Sequence, residues 1–318
     1  MSDTIIEALN QLVPRGITRG SASIGTRQVR WVETGSVQPT VVLEAGRNDI
    51  SLSWAPVIAG LARQNMHVVA YDRAGLGASD PAPGEAILQR QVSDLAEVIK
   101  HATSRRVILV GHSWGGLLAQ LCAFSHPDLV SGLVLVDPAH EEMIATLPAF
   151  VQGLVRSFPR HIRPVLSALG IVQLIQHGVA RQLARRFAED LPTRELVINA
   201  YLSCAGRPDE LQGAESDLSL LRQLRAASHP FPDIPVVLLS ASQGFPRQVR
   251  AHWTALQANL VARARIGKHL IVANADHAIP QKRPDLVVDT IIEMVASQSL
   301  NLPGTSFETA SGNTGPAE

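Results

Sequence analysis

The sequence predicts an α/β protein built on a mostly parallel sheet, and two patterns carry this prediction. Short apolar, β-branched segments alternate along the chain with stretches of helical periodicity, which is typical of wound α/β folds. Most of these segments are continuously apolar, as expected of strands buried on both faces. The strand-like segments are residues 27–33, 40–44, 67–72, 106–110, 132–137, 235–240 and 269–273, and the helical patterns cover 54–64, 89–103, 115–125, 249–262 and 284–297.

One long region interrupts the alternation. Residues 138–233 contain helical patterns broken by prolines and glycines and no strand-like segment. We expect this region to form a helical cap over the C-terminal edge of the sheet, where ligands bind in open α/β folds. The predicted organisation is a helical extension over 1–19, a core formed by 20–137 and 234–298, the cap over 138–233, and a disordered tail over 299–318, which is polar and rich in Gly, Ser and Thr.

Composition excludes several classes of protein. The chain has 318 residues with 28 basic and 28 acidic side chains, so it lacks the positive charge of a nucleic-acid binder. Its two cysteines form neither a disulfide framework nor a Cys-x-x-Cys metal pattern. No segment is long and apolar enough to span a membrane, and the N-terminus does not resemble a signal peptide. We therefore expect a cytoplasmic protein whose partner is a small molecule, not a nucleic acid or a membrane; the oligomeric state is not predicted.

The segment around Ser113 carries the strongest functional signal. The apolar strand pattern that begins at Val107 leads directly into Gly111-His-Ser113-Trp-Gly115, and an apolar helix pattern follows. Gly-x-Ser-x-Gly between a strand and a helix is typical of a nucleophile elbow, whose tight turn requires glycine at the flanking positions. The helix N-terminus also places backbone N–H groups beside the serine hydroxyl. We therefore expect Ser113 to be a nucleophile.

A serine hydroxyl needs an adjacent base to react near neutral pH, and His277 is the best placed of the eleven histidines. It follows the last predicted strand and precedes the last helix, where the base belongs when the chain order is serine, acid, histidine. His112 adjoins the elbow and is interpreted as a packing residue. The other histidines considered, which are expected to be structural or solvated, are His126, His161, His177 and His229.

The acidic partner of the base is predicted to be Asp137. The usual place for it is the loop after residues 235–240, but no Asp or Glu occurs between Asp233 and Asp276, and Asp276 adjoins the base too closely. Asp137 ends the preceding strand at the C-terminal edge of the sheet, where it can orient the imidazole. The alternative is that Asp137 only anchors the first turn of the cap, and then Glu141 and Glu142 are the next candidates.

Two backbone N–H groups are expected to form an oxyanion hole. One is that of Trp114, directly after the nucleophile, and the other is that of Arg47, in the loop after residues 40–44. The Arg47 side chain lies either beside the pocket or in solvent.

These residues resemble the α/β-hydrolase superfamily over residues 20–297, and most closely bacterial serine hydrolases that carry a cap. The resemblance rests on the Ser113 elbow, on Asp276-His277 and on the segments at 43–46, 51–54, 71–80 and 135–138. It implies an eight-stranded, mostly parallel sheet with a helical cap after strand six. Some superfamily members, including certain haloalkane dehalogenases, likewise place the acid after strand six. This chain departs from many relatives in having Glu44-Ala45 where they have His-Gly.

The resemblance also limits the chemistry that we expect. Haloalkane dehalogenases and epoxide hydrolases use an aspartate nucleophile, so serine at position 113 argues against both activities. We expect two-step acyl transfer from a small, mostly apolar ester, lactone or amide, with no metal or cofactor. The alternatives are acyl transfer to another acceptor, perhydrolysis or C–C bond hydrolysis with the same three residues, or a ligand receptor without turnover. We expect the segment at residues 72–80 to be a structural loop that borders the site.

Overall fold

The computed structural model describes residues 2–83, 87–142, 165–166, 169–203 and 233–300. Within these ranges the strands are β1 Thr18–Ile24, β2 Arg27–Thr34, β3 Val37–Glu44, β4 Met66–Asp72, β5 Val107–His112, β6 Val130–Val136, β7 Pro235–Ala241 and β8 Ile266–Val272. The helices are α1 Ser2–Leu12, α2 Ala55–Arg63, α3 Leu88–Ala102, α4 Trp114–Ser125, α5 Ile171–Phe187, α6 Leu191–Leu202, α7 Arg247–Ala262, α8 Ile279–Lys282 and α9 Pro284–Leu300. A 3-10 turn, Ser51–Trp54, leads into α2.

The strands form one sheet in the order β1-β2-β4-β3-β5-β6-β7-β8. The pairs β1–β2 and β2–β4 are antiparallel, and all later pairs are parallel. This confirms the predicted eight-stranded, mostly parallel sheet. The parallel register brings the C-terminal ends of β4, β3, β5, β6, β7 and β8 to one edge, where loops from all six strands meet.

Helices cover both faces of the sheet, which explains the continuously apolar strands. Val42 and Leu109 pack into a core with α3 and α4, whereas Leu43 and Val110 face a second core with α2 and α9. All four side chains are fully buried. Because successive residues of a strand point to opposite faces, a sheet covered on both faces requires apolar residues at consecutive positions.

The sheet begins with a strand that has no apolar pattern. β1 has the sequence TRGSASI, and most of its side chains are exposed or half-buried. Among the described strands it pairs only with β2, along the edge of the sheet, so it needs no continuous apolar face. It starts at Thr18, inside the helical extension predicted for residues 1–19, and α1 ends at Leu12.

The described part of the region between β6 and β7 contains the helices α5 and α6. Val197 and Ala200 of α6 are buried in the same apolar cluster as Ile5 and Leu9 of α1. The parts of the predicted cap at 143–164, 167–168 and 204–232 lie outside the described residues, as does the predicted tail from residue 301. None of the helices in the described ranges has the length and apolar character needed to cross a bilayer.

Candidate active site

Ser113 lies on a sharp turn between β5 and α4. Its backbone has φ 53° and ψ −118°, a conformation that is costly for any residue with a side chain and that persists only when its surroundings impose it. The Ser113 N–H donates to the Val136 carbonyl at 3.1 Å, and the Ser113 carbonyl accepts from the Ala139 N–H at 2.9 Å. The end of β6 thus fixes the turn and holds the serine at the C-terminal edge of the sheet.

The glycines that flank Ser113 are required by close backbone contacts. A Cβ atom on Gly111 would lie 2.4 Å from the Gly115 carbonyl oxygen. A Cβ atom on Gly115 would lie 2.3 Å from the carbonyl oxygen of Glu44 and 2.4 Å from that of Ala45. The Gly-x-Ser-x-Gly pattern therefore lets the first turn of α4 pack directly against the end of β3.

The structure brings Ser113, His277 and Asp137 into one hydrogen-bonded line. His277 Nε2 lies 2.9 Å from Ser113 Oγ, and His277 Nδ1 lies 2.7 Å from Asp137 Oδ2. The three residues come from the ends of β5, β6 and β8, which meet at the same edge of the sheet. Both distances fall within the range in which a base can take the serine proton and a carboxylate can orient that base.

Asp137 has more partners than the sequence indicated. Arg250 on α7 forms a two-pronged ion pair with it, with Nη1 at 2.9 Å from Oδ2 and Nη2 at 3.0 Å from Oδ1. Gln257 Nε2 also donates to Oδ1 at 3.0 Å, and the Ala241 N–H does so at 3.2 Å. The Asp137 side chain is fully buried, so these donors replace the water that would otherwise solvate it.

The charge of Asp137 follows from these contacts. Burial raises the pKa of the Asp137 carboxyl, but the hydrogen bonds and positive charges of His277 and Arg250 outweigh burial, so the pKa is held far below its ordinary value. Asp137 is therefore ionised throughout the neutral pH range.

His112 contacts the backbone of the His277 loop. His112 Nε2 lies 2.8 Å from the carbonyl oxygen of His277, and the two rings are tilted with centroids 4.8 Å apart. Burial, together with the nearby His277, lowers the pKa of His112 to about 3. His112 is therefore neutral near pH 7, and its Nε2–H donates to the carbonyl oxygen. It is a buried residue, in line with the packing role that the sequence indicated, and it also ties down the loop that carries His277.

The other candidate acids have different neighbours. Asp276 accepts from the Ala278 N–H at 3.1 Å and pairs with Lys282. Glu141 Oε2 lies 3.5 Å from His140 Nδ1, and the Glu142 N–H donates to that same nitrogen at 3.1 Å. The contact with His277 Nδ1 belongs to Asp137.

The predicted oxyanion donors Trp114 and Arg47 adjoin residues at the Ser113 turn. Trp114 is the first residue of α4, so its N–H belongs to the first turn, whose donors have no intrahelical acceptor. Its indole donates to Gln91 Oε1 at 3.0 Å. Arg47 follows Gly46, at which an added Cβ would lie 3.7 Å from the Ser113 Cβ atom. The Arg47 side chain is exposed.

A buried ion pair holds the loop that contains Arg47. Arg73 Nη1 donates to the Glu44 carboxylate at 2.5 Å and to the Ala45 carbonyl at 2.7 Å, and Nη2 donates to the Gly46 carbonyl at 2.5 Å. The Tyr71 hydroxyl donates to the other oxygen of Glu44. The Gly46 carbonyl belongs to the same peptide unit as the Arg47 N–H, so Arg73 fixes the orientation of that N–H. Glu44 thus anchors this loop through Arg73.

The segment at residues 72–80 makes structural contacts, consistent with its predicted role. Asp72 accepts from the Ser51 N–H and from the Ala78 N–H, both at 2.8 Å. Within the ranges that the structure describes, no three His, Cys, Asp or Glu side chains converge in a way that would hold a metal ion.

Comparison with known proteins identifies the family to which this chain belongs. The profile of the alpha/beta hydrolase family matches residues 41–290. A soluble epoxide hydrolase of Corynebacterium sp. (strain C12) is 27% identical over 304 residues, covering 88% of this chain and 98% of the relative. Epoxide hydrolase 4 of Mus musculus is 23% identical over 269 residues, covering 79% of this chain and 71% of the relative.

The solved structures that resemble this chain include a membrane phospholipase A described as a bacterial virulence factor. It superposes with a TM-score of 0.64 at 21% identity, covering 93% of this chain and 90% of that chain. At this identity the likeness shows the fold alone. The family profile covers most of the sequence and includes the segments that carry Ser113, Asp137 and His277. The chain belongs to the alpha/beta hydrolase family and is a hydrolase of that fold.

Proposed function

We propose that this protein is a serine hydrolase that cleaves a small, mostly apolar ester, lactone or amide through an acyl-enzyme. The observation that carries this proposal is the line from Asp137 through His277 to Ser113, with contacts of 2.7 and 2.9 Å. A nucleophile, a base and an orienting acid in this order are the parts that acyl transfer requires.

In the first step His277 Nε2 takes the Ser113 proton while Oγ attacks the substrate carbonyl carbon. The tetrahedral intermediate collapses, and the leaving alcohol or amine takes that proton from His277. In the second step His277 removes a proton from water, and the resulting hydroxide attacks the acyl carbon. Ser113 then leaves with the proton, and the carboxylic acid is released. Asp137 stays ionised and stabilises the imidazolium that forms twice in each cycle.

The developing oxyanion is expected to lie between the N–H groups of Trp114 and Arg47. The dipole of α4 adds partial positive charge at Trp114. At Arg47 the contribution depends on the fixed peptide orientation, which the contact between Arg73 and the Gly46 carbonyl supports. These donors are oriented before substrate binds, and this avoids the cost of reorganising them during the reaction.

The named relatives include epoxide hydrolases, but serine chemistry favours a carbonyl substrate. Attack of Ser113 Oγ on an epoxide carbon would form an alkyl ether. That ether has no carbonyl carbon to which a His277-activated water can add, so the enzyme would not be released. An acyl-serine has such a carbon, and its hydrolysis uses the same base and the same oxyanion donors.

The surroundings of His277 favour an apolar substrate. The buried Trp253 ring lies 5.2 Å from the His277 ring, and the Phe245 ring lies 6.3 Å from it. Phe245 is 42% exposed, on the loop after β7, and packs edge-on against Trp253. An aromatic side chain exposed beside the proposed base can cover the apolar part of an ester.

The test is turnover of a short-chain aryl ester by the full chain and by its Ser113→Ala variant. We expect the substitution to remove almost all turnover while the far-UV circular dichroism and the melting temperature stay close to those of the parent. Ser125→Ala is the matched control, because Ser125 is exposed at the far end of the same helix. Near-normal turnover in Ser113→Ala would exclude the mechanism.

Two further measurements separate the alternative activities. Product analysis with an added alcohol, with peroxide or with a diketone distinguishes acyl transfer, perhydrolysis and C–C bond hydrolysis from ester hydrolysis. A serine-reactive fluorophosphonate should label the parent chain and not Ser113→Ala. A parent chain that resists labelling and turns over no ester would instead be a ligand receptor.

A further inference from the structure

We propose that Arg250 is a positioning residue for the reaction: it aims the Asp137 carboxylate at His277, and its charge beside that carboxylate opposes protonation of the imidazole. This inference rests on the proposed function, since it assigns a task within the same site. It goes beyond Ser113, His277 and Asp137, because Arg250 lies on α7 and its role cannot be read from the motifs that contain those three residues.

The first argument is geometric. Arg250 donates to both oxygens of Asp137. One of them, Oδ2, accepts from Arg250 Nη1 at 2.9 Å and also from His277 Nδ1 at 2.7 Å. A two-pronged contact with a planar guanidinium fixes both the position and the rotation of a carboxylate. Rotation of the Asp137 carboxylate would lengthen the contact to His277, so Arg250 determines where the imidazole is held.

The second argument is that Arg250 is itself immobilised. Its side chain is only 6% exposed, and its guanidinium carbon lies 4.4 Å from the centre of the Trp253 ring. Trp253 in turn donates its indole N–H to the Pro138 carbonyl at 2.8 Å. The cation therefore has aromatic packing on one side and a fixed carboxylate on another, and is not a mobile surface charge.

The third argument is the position of the acid. The loop after β7 reads Ala241-Ser-Gln-Gly-Phe-Pro246 and contains no carboxylate. Instead, the helix that follows this loop supplies a cation, which reaches back to the acid at the end of β6. Asp137 has φ 41° and lies directly after the strand, so side-chain contacts from α7 complete the support that its strained backbone needs.

The electrostatic consequence follows from the shared oxygen. The Arg250 charge lies beside the oxygen that His277 contacts, with Arg250 Nη1 and His277 Nδ1 at 2.9 and 2.7 Å from it, and partly cancels the attraction between Asp137 and a protonated His277. Removing that charge favours the protonated form of the Asp137–His277 pair, so the pair keeps its proton to a higher pH. With an effective dielectric constant near 20, the expected displacement is about one to two pH units.

Other titratable groups near the pair come from β5, from β8 and from the loop after β8. From β5, His112 is neutral above about pH 3. On the loop after β8, the charge of Asp276 is offset by Lys282 and, from α5, by Arg186. On β8, His269 is connected to the pair through Ser240 and Gln257, with contacts of 2.7, 2.5 and 3.0 Å along that line.

The experiment compares Arg250→Met, Arg250→Gln and Arg250→Lys with the full-length parent chain. The readouts are kcat and KM for an aryl ester, and the pH profile of kcat/KM from pH 5 to 9. We expect both neutral variants to move the acidic limb of the profile upward by about one to two pH units, with kcat at pH 7 falling about 10- to 100-fold and KM changing less than threefold. Arg250→Lys should keep the limb within about 0.3 pH unit of the parent, because it retains the charge.

Two controls separate charge from general damage. Arg247→Met removes an exposed cation from the first turn of the same helix and should leave the profile unchanged. Gln257→Met removes a neutral donor from Asp137 Oδ1, the oxygen that also accepts from Arg250 Nη2; it should lower kcat without moving the acidic limb.

A separate readout does not need turnover. The proton NMR signals of the His277 ring can be titrated in a Ser113→Ala background, with His277→Gln used for assignment, and Arg250→Gln should move the midpoint upward. A midpoint that stays in place in a folded neutral variant overturns the proposal, as does a lysine variant displaced as far as the neutral ones. Because this titration is independent of catalysis, it decides the role of Arg250 even if Ser113→Ala disproves the proposed reaction.

Discussion

Replacing Gly115 with alanine should displace the loop that carries the Arg47 N–H. The added Cβ would lie 2.3 Å from the Glu44 oxygen and 2.4 Å from the Ala45 oxygen, about 1 Å closer than the ordinary contact distance of 3.4 Å. Both obstacles are backbone atoms, so no side-chain rotation relieves the clash. Either the first turn of α4 or the end of β3 must move by about 1 Å, at a cost of roughly 1–3 kcal/mol in unfolding free energy.

The same displacement should also reduce catalysis. A shift of about 1 Å between nucleophile and oxyanion donor typically costs about 100-fold in rate. We therefore expect kcat for an aryl ester to fall about 100-fold in Gly115→Ala. KM should change little, because the aromatic side chains of Phe245 and Trp253 are untouched. The assay is steady-state hydrolysis, paired with urea unfolding to measure the loss of stability.

Gly178→Ala is the matched control for this substitution. Gly178 lies within α5, and an added Cβ there would have no atom within 4 Å. Replacing a helical glycine by alanine should raise the unfolding free energy by about 0.5–1 kcal/mol and leave kcat unchanged. A folded Gly115→Ala variant whose kcat is within threefold of the parent would show that the contact of α4 with the end of β3 does not position the oxyanion donors.

Three further predictions follow from the contacts of the site. Asp137→Asn should lower kcat by about 10³- to 10⁴-fold, because an amide does not hold the His277 ring as a carboxylate does, and steady-state kinetics measures this. The pKa of His112 is about 3 in the folded chain and 6.5 in the unfolded chain, so the unfolded chain binds the extra proton first as the pH falls. The free energy of unfolding is therefore unaffected by His112 above pH 6.5 and falls by up to about 1.4 kcal/mol per pH unit between pH 6.5 and 3. Urea unfolding at pH 7 and 4.5 should therefore show a smaller loss of stability in His112→Asn than in the parent. Tyr201→Phe removes a 2.7 Å hydrogen bond from α6 to Asp49 and should lower the unfolding free energy by about 1 kcal/mol in the same assay.

The sheet could be predicted because a strand that is buried on both faces has apolar residues at consecutive positions. β5 reads as an unbroken apolar segment since its side chains enter two cores at once. β1 has no such apolar segment, because an edge strand with exposed side chains does not need one. The number of strands followed from the resemblance to a family, whereas the apolar segments alone indicated seven.

The three residues of the line from Asp137 to Ser113 were accessible from the sequence because each follows a recognisable strand. The parallel order of the strands places their C-terminal ends together, so position along the chain was enough to bring the side chains to one edge. The catalytic roles of these residues stay predictions until the variants are measured.

Arg250 and Gln257 were not accessible in the same way. They lie on a helix whose sequence, RQVRAHWTALQANLVA, looks like an ordinary amphipathic surface helix with several polar residues. Nothing in this pattern distinguishes the buried Arg250 from the exposed Arg247 three residues earlier. The one available signal was the absence of a carboxylate from the loop after β7, which indicated that the acid comes from another strand end.

One face of α7 supplies all of these contacts. Arg250, Trp253 and Gln257 are spaced three and four residues apart, so they lie along one side of α7 and all three bond to Asp137 or to Pro138. One residue inserted before Gln257 would turn the rest of the helix by about 100° relative to Arg250 and carry the amide away from the carboxylate. The spacing within this helix is thus constrained as tightly as that of the elbow itself, although no short motif marks it.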